Sequence, residues 1–379
     1  MLGLRPIPAE PAGLGGHPAT VREAVRAADT VLDEILDAEL DRARAVDPVF
    51  ARDVAARVAE FVRRGGKRLR TAFLWCGWRA AGGRGDPTSV LRVAAALELL
   101  QACALVHDDV MDGSPLRRGG PAVHVELARM HRRTGLGGPA ETFARSSAVL
   151  AGDLALAWAD DVLTETALAC PHGSRLYREW RATRTEMVAG QYRDLHAQAA
   201  GSSAVDEALT IATLKSALYT VGRPLTLGAT LAGADSRALE ALASAGRCAG
   251  LAFQLRDDLL GAFGDPLLTG KPSDEDLRTR KLTYLLAVAV RLAEAGGDGE
   301  AIRVLSPEGS GPDAVAEMRA ALERTGARAL VEGKITELAA TSLRHFARAA
   351  ADDGVRGEFV NLVERAAGVA CRPPGEVAR

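Results

Sequence analysis

Two stretches place carboxylates at the end of oily runs. Between Val93 and Val106 the strongly polar side chains are Glu98 and Gln101, and the run passes into Asp108, Asp109 and Asp112 before Gly113-Ser114-Pro115. Between Ala249 and Leu255 only Gln254 is polar; Asp257 and Asp258 follow, with Gly261, Gly264 and Pro266 beyond them. A stretch apolar on nearly every helical face is expected to be buried, and Gly-Ser-Pro is a helix stop. The aspartates therefore fall in a last turn, against the negative end of the helix dipole, at a cost of about 0.3–1 kcal/mol each. Asp108 and Asp112, one turn apart, add repulsion of about 3 kcal/mol at an effective dielectric near 20. Bundled together, the two ends would offer hard oxygen ligands around one cavity. Such ligands suit Mg²⁺, which completes its octahedron with water and substrate phosphates.

Cations follow the same logic. Arg117-Arg118 comes directly after the first acidic cluster, and Gly65-Gly66-Lys67-Arg68-Leu69-Arg70 opens a helix after two glycines. The chain has only five lysines among 47 basic residues. In so arginine-rich a sequence, a retained lysine marks a place where a compact ammonium is wanted. Lys67, Lys215, Lys271 and Lys281 lie in GGKRLR, TLKSAL, TGKPS and TRKLT, contexts suited to phosphate oxygens. Carboxylates for metal and cations for phosphate together imply a diphosphate substrate. No GxxxxGK[ST] or dinucleotide fingerprint is present, which argues against a nucleotide.

The elements that must hold these groups read as helices throughout. Ala and Leu recur at helical spacing, no alternating β-branched run stands out, and the fold class is all-α. Expected helices cover 18–45, 50–63, 67–81, 87–112, 121–133, 141–169, 174–199, 204–232 with a break near Pro224, 236–263, 281–296, 312–325 and 327–352. Residues 1–17 are expected to be disordered, 18–370 to form one domain and 371–379 a tail. Residues 296–313 read as a surface loop. At 379 residues and 47% hydrophobic content the chain can bury a large core. A net charge of −2 lacks the basic footprint of a nucleic-acid binder. Five scattered cysteines without a CxxC pair fit reduced thiols in a cytoplasmic protein. The longest apolar run after the N-terminal segment, Tyr284 to Val290, is too short to span a bilayer.

With these residues in order, the chain resembles the trans-isoprenyl diphosphate synthases, or polyprenyl synthetases, and most of all a geranylgeranyl diphosphate synthase. DDVMD is similar to the family's first aspartate-rich motif and FQLRDD to its second, and the likeness runs from GGKRLR to TRKLT. The resemblance implies a large helical bundle of isoprenoid-synthase type with a central cavity, assembled as a homodimer. It implies a prenyltransferase that joins isopentenyl diphosphate to an allylic diphosphate with three Mg²⁺ ions. Asp108, Asp112 and Asp257 would hold metal, with Asp109 and Asp258 in support. Arg117, Lys215, Ser216, Gln254, Lys271 and Lys281 would grip the allylic diphosphate. Lys67, Arg70, Gln101 and Arg118 would bind isopentenyl diphosphate.

Two substitutions depart mildly from the pattern: Gln101 stands where many members have His, and Ser216 where Thr is common. One departs more: Gly261 occupies the place of the third aspartate of the second motif. Chain length is assigned by resemblance to the positions one turn before Asp108. Small residues at Cys103 and Ala104 leave room beyond farnesyl, with Leu100 deeper. The rival reading as a class I terpene cyclase lacks its (N/D)xx(S/T)xxxE metal motif, since the single Asn is Asn361 and no Asp begins a match either. A longer-chain polyprenyl diphosphate synthase is the other alternative.

Overall fold

The computed structural model describes residues 18–264, 275–306 and 313–371. The expected disorder of 1–17, Lys271 and most of the expected tail lie outside these residues. The chain opens with α1 (Val21–Val46), started by Thr20, whose hydroxyl accepts from the Glu23 N–H while the Glu23 carboxylate accepts in return. Such a reciprocal cap satisfies two donors that the first turn leaves open. Then come α2 (Pro48–Phe50), a π-helical turn (Ala51–Ala55), α3 (Ala56–Arg63), α4 (Leu69–Ala80) and α5 (Thr88–Asp112). Two-residue strands β1 (Leu116–Arg117) and β2 (Gly120–Pro121) pair antiparallel. They are followed by α6 (Val123–Thr134), α7 (Ala140–Ala169), α8 (Gly173–Ala199) and α9 (Val205–Ile211). A long π-helical segment (Ala212–Gly222) leads into α10 (Arg223–Leu231), then α11 (Ser236–Phe263) and α12 (Glu275–Arg278). The remaining described helices are α13 (Tyr284–Gly296), α14 (Gly299–Leu305), α15 (Ala314–Arg324), α16 (Ala327–Phe346) and α17 (Asp353–Ala367).

The all-α reading stands, with local corrections. No break occurs at Pro224. Proline removes one backbone donor and crowds the preceding turn. Here the wide π segment ends just before it, and Pro224 falls in the first turn of α10, where its missing N–H costs nothing. The helix expected over 327–352 stops at Phe346, and α17 starts anew from Asp352, whose carboxylate accepts from the N–H groups of Gly354 and Val355. Within the expected surface loop 296–313, Asp298 caps the short helix α14 through the Ala301 N–H.

Helix α5 is 25 residues long and apolar enough by composition to cross a membrane, yet 72% of that window is buried within the protein. It runs along α7 and touches α1 and α4, and Leu97, Leu99, Leu100 and Ala102 have no exposure. Helix α11 lies against α16 and against the π segment. That segment is held between two glycines. A Cβ at Gly190 of α8 would sit 2.3 Å from the Lys215 N, and one at Gly250 of α11 would sit 2.3 Å from the Ala217 carbonyl oxygen. Backbone therefore meets backbone on both sides of Lys215. Any larger residue would overpack the contact, a change that costs about 1–3 kcal/mol. The lysine's position is set by the packing of three helices, not by its own turn alone.

Candidate active site

The first acidic end forms as expected. Helix α5 stops at Gly113, which takes a left-handed φ of 67° and accepts that conformation without penalty. Asp109 points inward with no exposure, Asp108 is half-buried and Asp112 is exposed. The following residues return at once through the two-residue turn Arg118-Gly119, with φ of 53° and 74°. Positive φ at both central positions is what a tight hairpin turn requires. The return places Arg117 back over the aspartates: its Nε donates to Asp109 Oδ1 at 2.7 Å, and its guanidinium reaches Asp108 Oδ2 at 3.4 Å. Arg117, expected on a diphosphate, is thus engaged with the carboxylates themselves.

The second acidic end comes to the same place. Gln254 donates to Asp258 Oδ1 at 2.7 Å, and Asp257 is half-buried beside it. Arg256 points the other way and donates to the Ala367 carbonyl at 2.7 Å, tying α17 to this turn. Between the two ends lie two lysines. Lys215 Nζ donates to Asp108 Oδ1 at 3.3 Å and to Asp194 Oδ2 at 2.7 Å, and Lys281 Nζ lies 3.6 Å from the same Asp194 oxygen. Burial works against the charge on Lys281, but Asp194, Asp276, Asp108 and Asp112 outweigh it and raise its pKa. Lys281 in turn opposes the rise in the Asp258 pKa, so one ammonium acts on carboxylates of both ends. Ser216 is half-buried on the same segment as Lys215.

Asp194 is the residue that sequence reasoning missed. It is buried on α8, and although burial opposes its ionisation, Lys281 and Lys215 hold its pKa below the usual carboxylate value. A signal existed: Gly190, Asp194 and Ala197 follow one helical stripe, and a carboxylate between two small residues on a buried stripe needs a cation.

The second predicted group assembles separately, and it is cationic. Arg118 Nη1 donates to the Phe61 carbonyl at 2.8 Å, its guanidinium lies 4.8 Å from the Phe61 ring, and Gly66 packs beside it. Arg70 stacks 4.1 Å from the Tyr219 ring centroid and donates to Thr220 Oγ1 at 3.2 Å. Burial and the nearby charges of Arg68, Arg70 and Arg117 push the Arg118 pKa down to about 10, against the pull of Glu98. Neither Arg70, Arg118 nor exposed Lys67 forms an ion pair with a described carboxylate. Arg70 Nε and Gln101 Oε1 are buried without hydrogen-bond partners among the described residues. The unpaired Arg70 donor among crowded cations fits an anion, whereas the Gln101 oxygen is an acceptor and leaves that side chain's amide N–H₂ as its donor toward one. Arg68 belongs elsewhere, since it pairs with Asp29 and Glu98. Arg68, Arg118 and Arg280 are the non-glycine residues with positive φ among those described, and each adjoins a predicted phosphate-binding cation. Backbone held in a sparsely populated region in this way is common where side-chain placement matters.

The donor set suits Mg²⁺. Its members are carboxylate oxygens, and Asp109 Oδ2 is buried with no partner among the described residues. No group of three described His, Cys, Asp or Glu side chains forms a metal cage by itself. That is expected for an ion that takes several of its ligands from water and phosphate. Of the three chain-length positions, Leu100 and Cys103 are packed in the core, and only Ala104 keeps partial access. Cys103 Sγ faces His107 Nδ1 at 3.8 Å, on the side of α5 where His107 Nε2 meets the Val149 carbonyl of α7.

A family model described as polyprenyl synthetase matches residues 52–323. A crystal structure of a geranylgeranyl pyrophosphate synthase from Corynebacterium glutamicum, complexed with isoprenyl diphosphate and magnesium, superposes with a TM-score of 0.83 at 37% identity, covering 90% of this chain and 98% of that one. A (2E,6E)-farnesyl diphosphate synthase of Mycobacterium tuberculosis is 38% identical over 235 residues, 62% of this chain and 59% of that protein. The matched stretch thus spans less than two thirds of that relative's length. A geranylfarnesyl diphosphate synthase of Aeropyrum pernix is 30% identical over 255 residues, 66% of this chain and 74% of that protein.

The buried carboxylates make stability depend on pH. Burial pushes Asp258 up to about 7, partly opposed by Gln254, and pushes Asp109 up to about 6, partly opposed by Arg117. Both groups bind a proton more tightly folded than unfolded. Their contribution is therefore complete below the ordinary carboxylate range and is lost as pH rises through about 6 and then about 7. Thermal melts of chelator-treated protein should fall between pH 5 and pH 8, and Asp258→Asn should flatten that slope. An unchanged slope in the variant would remove Asp258 as the cause.

Proposed function

The chain belongs to the polyprenyl synthetase family, and we propose that it is a prenyltransferase that joins isopentenyl diphosphate to an allylic diphosphate, yielding a linear all-trans prenyl diphosphate, geranylgeranyl diphosphate in particular. The observation that carries this reading is the separation of charge types. One region pairs two carboxylate ends with lysines, and a neighbouring one gathers Arg70, Arg118 and Lys67 without carboxylate partners. Two diphosphates with different needs fit two such regions.

Asp108, Asp112 and Asp257 would hold Mg²⁺, three ions in all, with buried Asp109 fixed by Arg117 and Asp258 fixed by Gln254. Bound there, the ions would supply Lewis-acid stabilisation of charge on the leaving diphosphate. Lys215 and Lys281 stand ready on Asp194 to add hydrogen bonds as that charge grows, and Lys271 is assigned to the same group. A donor positioned before the reaction stabilises the transition state without reorganising. Lys67, Arg70, Gln101 and Arg118 would hold the second diphosphate so that its double bond meets the allylic carbon. Attack forms the new C–C bond, the allylic C–O bond breaks, and a proton leaves, with the departed diphosphate as its acceptor. No protein nucleophile is required.

Partial access at Ala104, one turn before Asp108, supports a product longer than farnesyl. The relatives make products of different lengths, so similarity alone does not select one. A soluble, cytoplasmic homodimer is part of the same proposal. Exposed apolar side chains line two helices: Phe143, Val149 and Leu150 on α7, with Val188, Tyr192 and Leu195 on α8. Exposed apolar side chains on two successive helices suit a second copy of the chain.

Incubation with Mg²⁺, isopentenyl diphosphate and dimethylallyl, geranyl or farnesyl diphosphate should give a twenty-carbon diphosphate by mass spectrometry. Asp108→Asn should slow it by about 100-fold or more, and Ala104→Phe should shorten the product. Release of a cyclic hydrocarbon would favour the cyclase reading, and absence of diphosphate release would refute both. Light scattering should give a dimer mass that falls to monomer in Leu150→Glu/Tyr192→Glu; a wild-type monomer would sink the assembly.

A further inference from the structure

The two acidic ends are built on the same spacing until their last member. The first has carboxylates at i, i+1 and i+4, namely Asp108, Asp109 and Asp112; the second has Asp257 and Asp258 at i and i+1, then Gly261 at i+4. Both ends act on Lys281, yet the second is one carboxylate short along its own helix. The space at Gly261 is not empty. A Cβ built there would lie 2.5 Å from Oδ2 and 3.4 Å from Cγ of Asp276, a residue of α12. The carboxylate of Asp276 thus stands where a side chain at position 261 would begin. Its backbone is set by the Lys281 N–H, which donates to the Asp276 carbonyl at 2.9 Å. Its charge also raises the pKa of both Asp258 and Lys281.

We infer that Asp276 supplies the third carboxylate of the second acidic end, and that glycine at 261 is what makes room for it. The inference rests on the Mg²⁺–diphosphate reading above and adds a residue to it. The carboxylate reaches the site from the chain that returns after α11 instead of from α11 itself. Glycine at 261 is then a compensated change, because a methyl group would push the flexible Asp276 carboxylate aside while disturbing little backbone. Loss of the metal-facing oxygen and loss of stability would come apart.

Calorimetric titration of the full chain with inorganic diphosphate, with and without Mg²⁺, tests this without turnover. Asp276→Asn should weaken Mg²⁺-dependent diphosphate binding about tenfold or more, the effect typical of residues that support metal ligands. Gly261→Ala should weaken binding comparably although it removes no charge, with melting temperature nearly unchanged. Gly261→Asp combined with Asp276→Asn should recover most of the affinity, a coupling that independent sites would lack. Wild-type affinity in Asp276→Asn, or a double variant no better than Asp276→Asn alone, would overturn the inference. Asp108→Asn separates it from its premise. If that variant loses binding while Asp276→Asn does not, only the role of Asp276 falls; if Asp108→Asn binds normally, the diphosphate reading falls and takes the role of Asp276 with it.

Discussion

Like charges held close together around two lysines are the constraint on which the structure depends. Asp108 and Asp112 repel each other and oppose the dipole of α5; Asp257 and Asp258 also repel each other, but α11 continues to Phe263, so they lie before its last turn and not at the dipole end as the sequence suggested. What makes the arrangement tolerable is positive charge brought from elsewhere in the chain. Arg117 comes from the hairpin after α5, Lys215 from the π segment and Lys281 from just before α13. Asp194 then joins the two lysines from below. Four elements distant in sequence must meet for any one of these charges to be stable where it is.

This dependence gives the bundle's odd features a reason. The π segment between Gly190 and Gly250 turns Lys215 toward Asp108 and brings backbone against backbone on both sides. The left-handed turn at Arg118 and Gly119 sends two adjacent arginines to two different regions. Arg117 meets carboxylates, while Arg118 lies under Phe61 beside Arg70 and Gly66. The second region has the opposite problem, cations without anions, and it eases that problem with aromatic faces and carbonyls. A ligand carrying several negative oxygens would relieve the cationic region directly, and the carboxylate region only together with divalent cations that it shares with those carboxylates.

Much of the fold was legible because helices this apolar announce themselves by period alone. Helix α5 over Thr88–Asp112 and α11 over Ser236–Phe263 fall within a residue of the expected spans. Where reading failed, a local signal was overruled by packing. Pro224 looked like a break, but a π segment absorbed it upstream. The run 327–352 looked continuous, but Asp352 capped a new helix that buries Phe359 against Phe346, with ring centroids 3.8 Å apart.

The amino-acid sequence by itself determined the class of fold, the two acidic ends and most of the cations, because charge type and helical spacing are properties of the chain. It carried the absence of a third aspartate at Gly261 as well. Only the tertiary structure decided which charge meets which. Asp194 is unremarkable until α8 packs on the π segment, and Arg117 and Arg118 are equivalent until the hairpin turns between them. Asp276 likewise gains its place beside Gly261 only because the chain returns to α11. Partnership among charges depends on distance through space, which helical periodicity does not encode.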